Sequence, residues 1–218
     1  MTTEYLLSKV DHTLLKPEAT FEQIKTLCNE AVAYKTASVC INPGHVKAAA
    51  QYLAGRIPVC TVVGFPLGAT TTAAKVFEAK EAIENGASEI DMVINIGALK
   101  AGDTDLVLSD IKAVKEACGS HILKVIIETC LLTDDEKRKM CQIVEASGAD
   151  FIKTSTGFST GGATFEDVKL FQECLGGRVK IKAAGGIRSV EDMEKFLSLG
   201  ADRLGTSSAI KILNAARQ

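Results

Sequence analysis

Short runs rich in β-branched residues recur along this chain at Ser38 to Ile41, Val59 to Val63, Ile90 to Ile94, Ile122 to Ile127, Phe151 to Thr154, Val179 to Ala183 and Arg203 to Thr206. Each reads as a strand. Between them lie stretches of helical period, clearest in Phe21, Ile24, Leu27, Cys28 and Ala31, which fall on one helix face. Four helix starts have the form of a capping box: Thr20-x-x-Gln23, Thr133-x-x-Glu136, Thr164-x-x-Asp167 and Ser189-x-x-Asp192, the last two weaker because Asp is shorter than Glu. Gly86-Ala87-Ser88, Gly148-Ala149-Asp150 and Gly200-Ala201-Asp202 each stand just before a strand, where glycine closes the preceding helix. The chain is thus a repeated βα unit. With Val10 to Thr13 as a short first strand there are eight units, which predicts an α/β fold, a single closed (β/α)₈ barrel over residues 1–218. The competing open, doubly wound sheet would carry G-x-G-x-x-G after its first strand, and none follows Thr13. No Pro/Ser-rich linker or charge block marks a second domain.

Composition excludes several functions. Of 218 residues, 46% are hydrophobic and 24% charged, which suits a globule burying roughly 70% of its unfolded surface. With 25 Lys+Arg against 27 Asp+Glu there is no basic field for nucleic acid. No apolar run reaches the ~18 residues of a membrane helix, and the start around Tyr5-Leu6-Leu7 lacks signal-peptide layout, so a cytoplasmic protein without membrane partners is expected. Seven cysteines, an odd number without a C-x-x-C pair, indicate neither a disulfide framework nor a zinc ribbon.

Parallel strands covered on both faces read as apolar runs, so a charge inside one needs a reason. Asp91, Lys153 and Lys182 are such charges. With side chains alternating, Ile90, Ile152 and Ile181 face the helices while the three ions point into the barrel, Asp91 deepest because it lies early in its strand. A single lysine near a strand end reads as a solvated snorkel. Three ions together point to chemistry. Burial favours a neutral amine, and a second ammonium about 4 Å away adds roughly 4 kcal/mol of repulsion at an effective dielectric near 20. That is about three pKa units, enough to free a nucleophilic amine, while a nearby carboxylate holds the other lysine charged. Such a set suits Schiff-base chemistry.

Two glycine-rich turns open helices after the last two strands, at Ala184-Gly185-Gly186-Ile187-Arg188-Ser189 and Gly205-Thr206-Ser207-Ser208. Their amides suit a phosphate, at the place where barrels often bind one, with Thr154 to Gly157 as a third wall. A Gly-Gly turn alone would be only a tight connection. His12, His45 and His121 have no spaced partner, so no metal site is expected and each reads as structural or exposed. Cys40 reads equally as a pocket residue or a core thiol.

These segments resemble a known family. Val10-Asp11-His12-Thr13-Leu14-Leu15, Ser38-Val39-Cys40-Ile41-Asn42-Pro43, Val63-Gly64-Phe65-Pro66, Glu89 to Asn95, Phe151-Ile152-Lys153-Thr154-Ser155-Thr156-Gly157 and Lys180 to Ile187, in this order, are similar to the 2-deoxyribose-5-phosphate aldolases, class I enzymes, over nearly the whole chain. The resemblance implies reversible cleavage of 2-deoxy-D-ribose 5-phosphate to D-glyceraldehyde 3-phosphate and acetaldehyde, with no cofactor and no metal. It makes Lys153 the Schiff-base lysine, Lys182 its perturbing partner in proton transfer, and Asp91 the acid/base residue acting through water. Asp11, Thr13, Cys40 and Thr154 are expected to support the site, Asp11 by pairing with Lys182. The phosphate would lie on Gly157, Gly185, Gly186, Ser207 and Ser208. A homo-oligomer, dimer or tetramer, is also expected. Some members carry a C-terminal tail ending in tyrosine, whereas this sequence ends Arg217-Gln218, and a bound water would take over any role of such a tail. Two rivals remain at this point: another phosphosugar enzyme on the same fold, isomerase or metal-dependent aldolase, and a sugar-phosphate-binding barrel without catalysis.

Overall fold

The computed structural model describes residues 1–215, so the Arg217-Gln218 terminus lies outside the described residues. Among them, eight parallel strands close in chain order into a barrel, β1 pairing with both β2 and β8. The strands are β1 (Val10–Leu14), β2 (Ser38–Ile41), β3 (Val59–Val63), β4 (Glu89–Val93), β5 (Ile122–Ile126), β6 (Phe151–Lys153), β7 (Lys180–Ala184) and β8 (Arg203–Thr206). Every strand anticipated from β-branched runs is present within a residue of its expected ends. The helices are α1 (Thr3–Ser8), α2 (Phe21–Tyr34), α3 (Val46–Leu53), α4 (Thr72–Glu84), α5 (Ile96–Lys100), α6 (Thr104–Cys118), α7 (Asp134–Ser147), α8 (Phe165–Leu175), α9 (Val190–Ser198) and α10 (Ala209–Ala215). None is long and apolar enough to cross a membrane.

The helices form where capping and periodicity agree. In α2, Ile24, Leu27, Cys28 and Ala31 are buried, and the Thr20–Gln23 box closes the helix start from both sides. Burying one Leu or Ile contributes about 1.5–3 kcal/mol, so this face fixes the helix on the barrel. The Thr133–Glu136 and Ser189–Asp192 boxes also form in full. The Thr164–Asp167 box forms only half. Thr164 accepts from the Asp167 amide, but the Asp167 carboxylate turns to the Lys137 ammonium at 2.7 Å instead of reaching back. Helix α1 had no counterpart in the sequence reading; six residues carry too little periodicity, and its Thr2 cap and buried Leu6 and Leu7 hold it against α10.

Outward strand residues Ile90, Ile152 and Ile181 join the main core under the helices. Inward residues divide by side. Leu15, Cys40, Cys60 and Val62 make a small apolar cluster, and Phe151 and a group of charged side chains occupy the opposite side. Pairing puts Asp91 level with Lys124, Lys124 level with Phe151, and Lys153 two residues further along its strand level with Lys182. Asp91 therefore lies one inward layer below the two lysines, as expected from its early place in the strand.

Candidate active site

Asp91 is the hub of the interior. Its Oδ2 accepts from Lys153 Nζ and from Lys182 Nζ, each at 2.7 Å, and its Oδ1 accepts from Lys124 Nζ at 2.8 Å. Lys182 also pairs with Asp11, and Lys124 with Glu89 at 2.6 Å. Arg203 at the start of β8 closes the network, donating to Asp11 Oδ1 at 2.5 Å and to Glu89 Oε2 at 3.2 Å, while Ser38 Oγ donates to Asp11 Oδ1 at 2.7 Å.

Seven ions from six strands thus share one buried space: Lys124, Lys153, Lys182 and Arg203 against Asp11, Glu89 and Asp91. The count leaves one cation in excess. Burial alone would neutralise the Asp91 carboxyl, but the ammoniums of Lys124, Lys153 and Lys182 outweigh it and hold Asp91 well below the usual carboxylate range. Burial likewise opposes ionisation of Asp11, which Lys182, Lys124 and Arg203 nevertheless hold low. The reciprocal effect keeps Lys182 charged: burial works against its ammonium, and Asp11 and Asp91 more than reverse that, so it titrates above an ordinary lysine. Lys124 is raised in the same way, chiefly by Asp91. Lys153 differs. Among the described residues it pairs with Asp91 alone, on an oxygen that Lys182 shares.

Lys153 also differs in access, because it reaches the wall of a cavity of about 370 Å³ at the carboxyl ends of the strands. Thr13, Thr156, Gly157, Gly185, Gly186, Ser207 and Ser208 line the same cavity. The amides of Gly157, Gly186, Ile187 and Ser207 donate to no acceptor among the described residues, so four N–H groups are open to an anion. Arg188 and Lys16 add positive charge at the rim. Cys60 and the neighbouring carboxylates come close enough together to suggest a cation site, but Lys124 Nζ lies 3.3 Å from Cys60 Sγ, so the positive charge at that spot is the chain's own.

A profile of DeoC/LacD family aldolases matches residues 5–210. The chain belongs to this family. It is 61% identical over 210 residues to the deoxyribose-phosphate aldolase of Clostridioides difficile, covering 96% of each chain. It is 58% identical to that of Streptococcus agalactiae, covering 98% of this chain and 96% of the relative. The solved deoxyribose phosphate aldolase of Aeropyrum pernix, described as tetrameric, superposes with a TM-score of 0.91 at 32% identity, covering 100% of this chain and 93% of that one.

Within this DeoC/LacD family member, the residues singled out from sequence fall into two groups. Lys153, Thr13 and the five residues expected to hold phosphate share the cavity, while Lys182, Asp91 and Asp11 sit beneath Lys153 in direct contact with one another. The Asp91 contacts to both lysines are direct, with no space between the partners for a water. Cys40 and Thr154 are not on the cavity wall. Cys40 is buried beside Cys60, Leu15 and Val62, the core alternative of its two readings. Thr154 Oγ1 donates to Ala184 O at 3.2 Å and accepts from Ala184 N at 3.0 Å, tying β6 to β7, so of the third wall only Thr156 and Gly157 face the cavity. His12 Nε2 lies 2.7 Å from Glu30 Oε2 and His45 Nε2 3.1 Å from Ala19 O.

The sequence reading overlooked Lys124, Glu89 and Arg203. Lys124 carried the same signal as the other two lysines, a charge flanked by Leu123 and Val125 inside a strand. Glu89 and Arg203 begin their strands, where a charge ordinarily faces water.

Proposed function

We propose that this chain reversibly cleaves 2-deoxy-D-ribose 5-phosphate to D-glyceraldehyde 3-phosphate and acetaldehyde through a Schiff base on Lys153. One observation carries the reading: a buried cluster of four cations and three carboxylates in which the least-paired cation is also the one that opens on a cavity. Release of a single proton from Lys153 balances the cluster at three against three. An uncharged amine is then presented to the cavity, with Lys182 remaining an ammonium.

The amine adds to the C1 aldehyde of the open-chain sugar, and water leaves to form the iminium. Lys182, a cation in contact with the same Asp91 oxygen, is placed to protonate the departing hydroxyl. The C3 hydroxyl gives up its proton, the C2–C3 bond breaks, and its electron pair moves into the iminium to give an enamine and D-glyceraldehyde 3-phosphate. Asp91, ionised below both nitrogens, supports these proton transfers. Protonation at C2 and addition of water then release acetaldehyde and restore the amine. The open amides of Gly157, Gly186 and Ser207, with Gly185 and Ser208 beside them, are the phosphate cradle. A homo-oligomer of two or four chains is part of this reading, and the tetrameric description of the Aeropyrum pernix enzyme supports it.

The test is borohydride reduction with acetaldehyde, followed by peptide mass mapping. A two-carbon adduct is expected on Lys153 and none in Lys153→Leu. An adduct on another lysine, or no adduct in the unsubstituted protein, refutes the reading.

A further inference from the structure

Glu128 stands where the chain leaves β5, and two features set it apart. Its backbone is left-handed, with φ 55° and ψ 66°, a conformation that glycine or asparagine adopts more readily than glutamate. Its side chain is also only 2% exposed as a residue, yet among the described residues no lysine or arginine pairs with it. A buried carboxylate without a cation persists only where other donors satisfy it. Here a single residue provides both: Thr156 N donates to Oε1 at 3.1 Å, and Thr156 Oγ1 donates to Oε2 at 2.5 Å.

Thr156 is on the cavity wall, and its neighbours bind it further into the same system. Because its hydroxyl proton is committed to Glu128, its lone pairs are free to accept from Phe158 N, at 3.0 Å. The chain from Thr156 to Phe158 is thereby drawn into a tight turn around Gly157, whose φ is 85° and whose amide faces no acceptor among the described residues. The backbone on either side of Glu128 grips the same strand end. Ile127 N donates to Lys153 O at 3.1 Å, and Thr129 N to Thr154 O at 2.9 Å. Residues 127–129 therefore hold the run from the candidate nucleophile to the phosphate wall at three successive points.

We propose that Glu128 is a positioning residue that, through the Thr156 hydroxyl, fixes the Thr156–Phe158 turn so that the Gly157 amide is presented to the phosphate of the substrate. The inference rests on the function proposed above. The left-handed backbone brings the carboxylate within reach of that turn, and the absence of a paired cation leaves its full acceptor capacity for Thr156. Glutamine at this position can still accept from Thr156 N through its oxygen, but its amide nitrogen donates to the Thr156 hydroxyl instead of accepting from it, so the hydroxyl proton loses its acceptor and the short contact that anchors the turn is weakened.

The experiment compares cleavage of 2-deoxy-D-ribose 5-phosphate with that of unphosphorylated 2-deoxy-D-ribose in the unsubstituted protein, Glu128→Gln, Thr156→Val and the double variant. Taking both rates on one sample makes their ratio independent of the folded fraction. In Glu128→Gln, KM for the phosphorylated sugar is expected to rise about tenfold with kcat within about twofold, while kcat/KM for 2-deoxyribose stays within about twofold. The double variant is expected to be no worse than Thr156→Val alone, since Glu128 acts through that hydroxyl. An unchanged preference for the phosphorylated sugar in Glu128→Gln, an equal fall for both sugars, or additive losses in the double variant would overturn the assignment. If the unsubstituted protein shows no preference for the phosphorylated sugar, the proposed function itself fails instead. Should Glu128→Gln not fold, Thr156→Val must still lose the preference, and its retention of it would equally overturn the proposal.

Discussion

Lys182→Met isolates the electrostatic part of the site. Lys153 Nζ and Lys182 Nζ each lie 2.7 Å from the same Asp91 oxygen, so twice that length, about 5.4 Å, is the widest separation the two nitrogens can have. At an effective dielectric near 20, two unit charges that far apart repel by about 3 kcal/mol, and any closer approach raises the figure. Removing Lys182 withdraws that repulsion and also leaves Asp91 to attract the Lys153 ammonium undivided, so both effects bind the Lys153 nitrogen more tightly to Asp91. Three kilocalories correspond to about a hundredfold in an equilibrium. Borohydride trapping of acetaldehyde on Lys153 and the cleavage rate at pH 7 should therefore both fall about a hundredfold from this cause alone. Lys182 itself adds no titration in this window. Its ammonium is raised above the ordinary lysine value, so its charge is fully present below about pH 10.5 and is lost only above that. The assay is kcat/KM between about pH 5 and 10, with glyceraldehyde 3-phosphate release as readout, beside the pH dependence of borohydride trapping. A rate and a trapping yield that stay unchanged would remove the basis for a role of the Lys182 charge beside Lys153.

Asp91→Asn should destabilise more than Lys182→Met in thermal melts, because it leaves four cations facing two carboxylates whereas the lysine variant leaves three facing three. Stripping one partner from a buried ion pair costs roughly 3–5 kcal/mol, and the reverse order of melting temperatures would contradict the charge count. Acidification should weaken the native protein through Asp11: its folded carboxyl is held low by Lys182, Lys124 and Arg203, so its stabilising contribution is present above about pH 4 and disappears as pH falls toward the folded value. Asp11→Asn should accordingly lose less stability than the unsubstituted protein between pH 6 and about pH 3, and parallel curves would argue against it. Gly205→Ala should lower activity more than stability, since an added Cβ would stand 3.1 Å from Lys182 Cε and 2.9 Å from Ala184 Cβ and push the lysine stem aside. Overpacking of this kind costs about 1–3 kcal/mol, and a variant with unchanged kcat and pH profile would show that Lys182 tolerates the displacement.

The barrel was legible because every unit repeats the same local grammar: a β-branched run, a capped helix, a glycine before the next strand. Three of four capping boxes close as written, and the fourth fails for a reason absent from local sequence, since Lys137 on another helix claims Asp167. The inward placement of Asp91, Lys153 and Lys182 followed from alternation along a strand, which depends on adjacent residues only. Lys124 obeys the same rule, but a lone lysine between apolar neighbours does not by itself reveal a partner. Only the register between β4 and β5, a relation between distant segments, puts it opposite Asp91. Glu128 left no mark at all. Glutamate has no preference for left-handed backbone, and its partner Thr156 lies 28 positions on, beyond any local pattern. Helix α1 escaped for want of length, being fixed by contact with α10 from the other end of the chain.

Arg203 reaches across the seam between the last strand and the first to grasp Asp11, and Asp11 in turn grasps Lys182. The pairing of Lys182, and through Asp91 that of Lys153, consequently depends on residues almost two hundred positions apart, so the ion cluster is complete only once β8 has met β1.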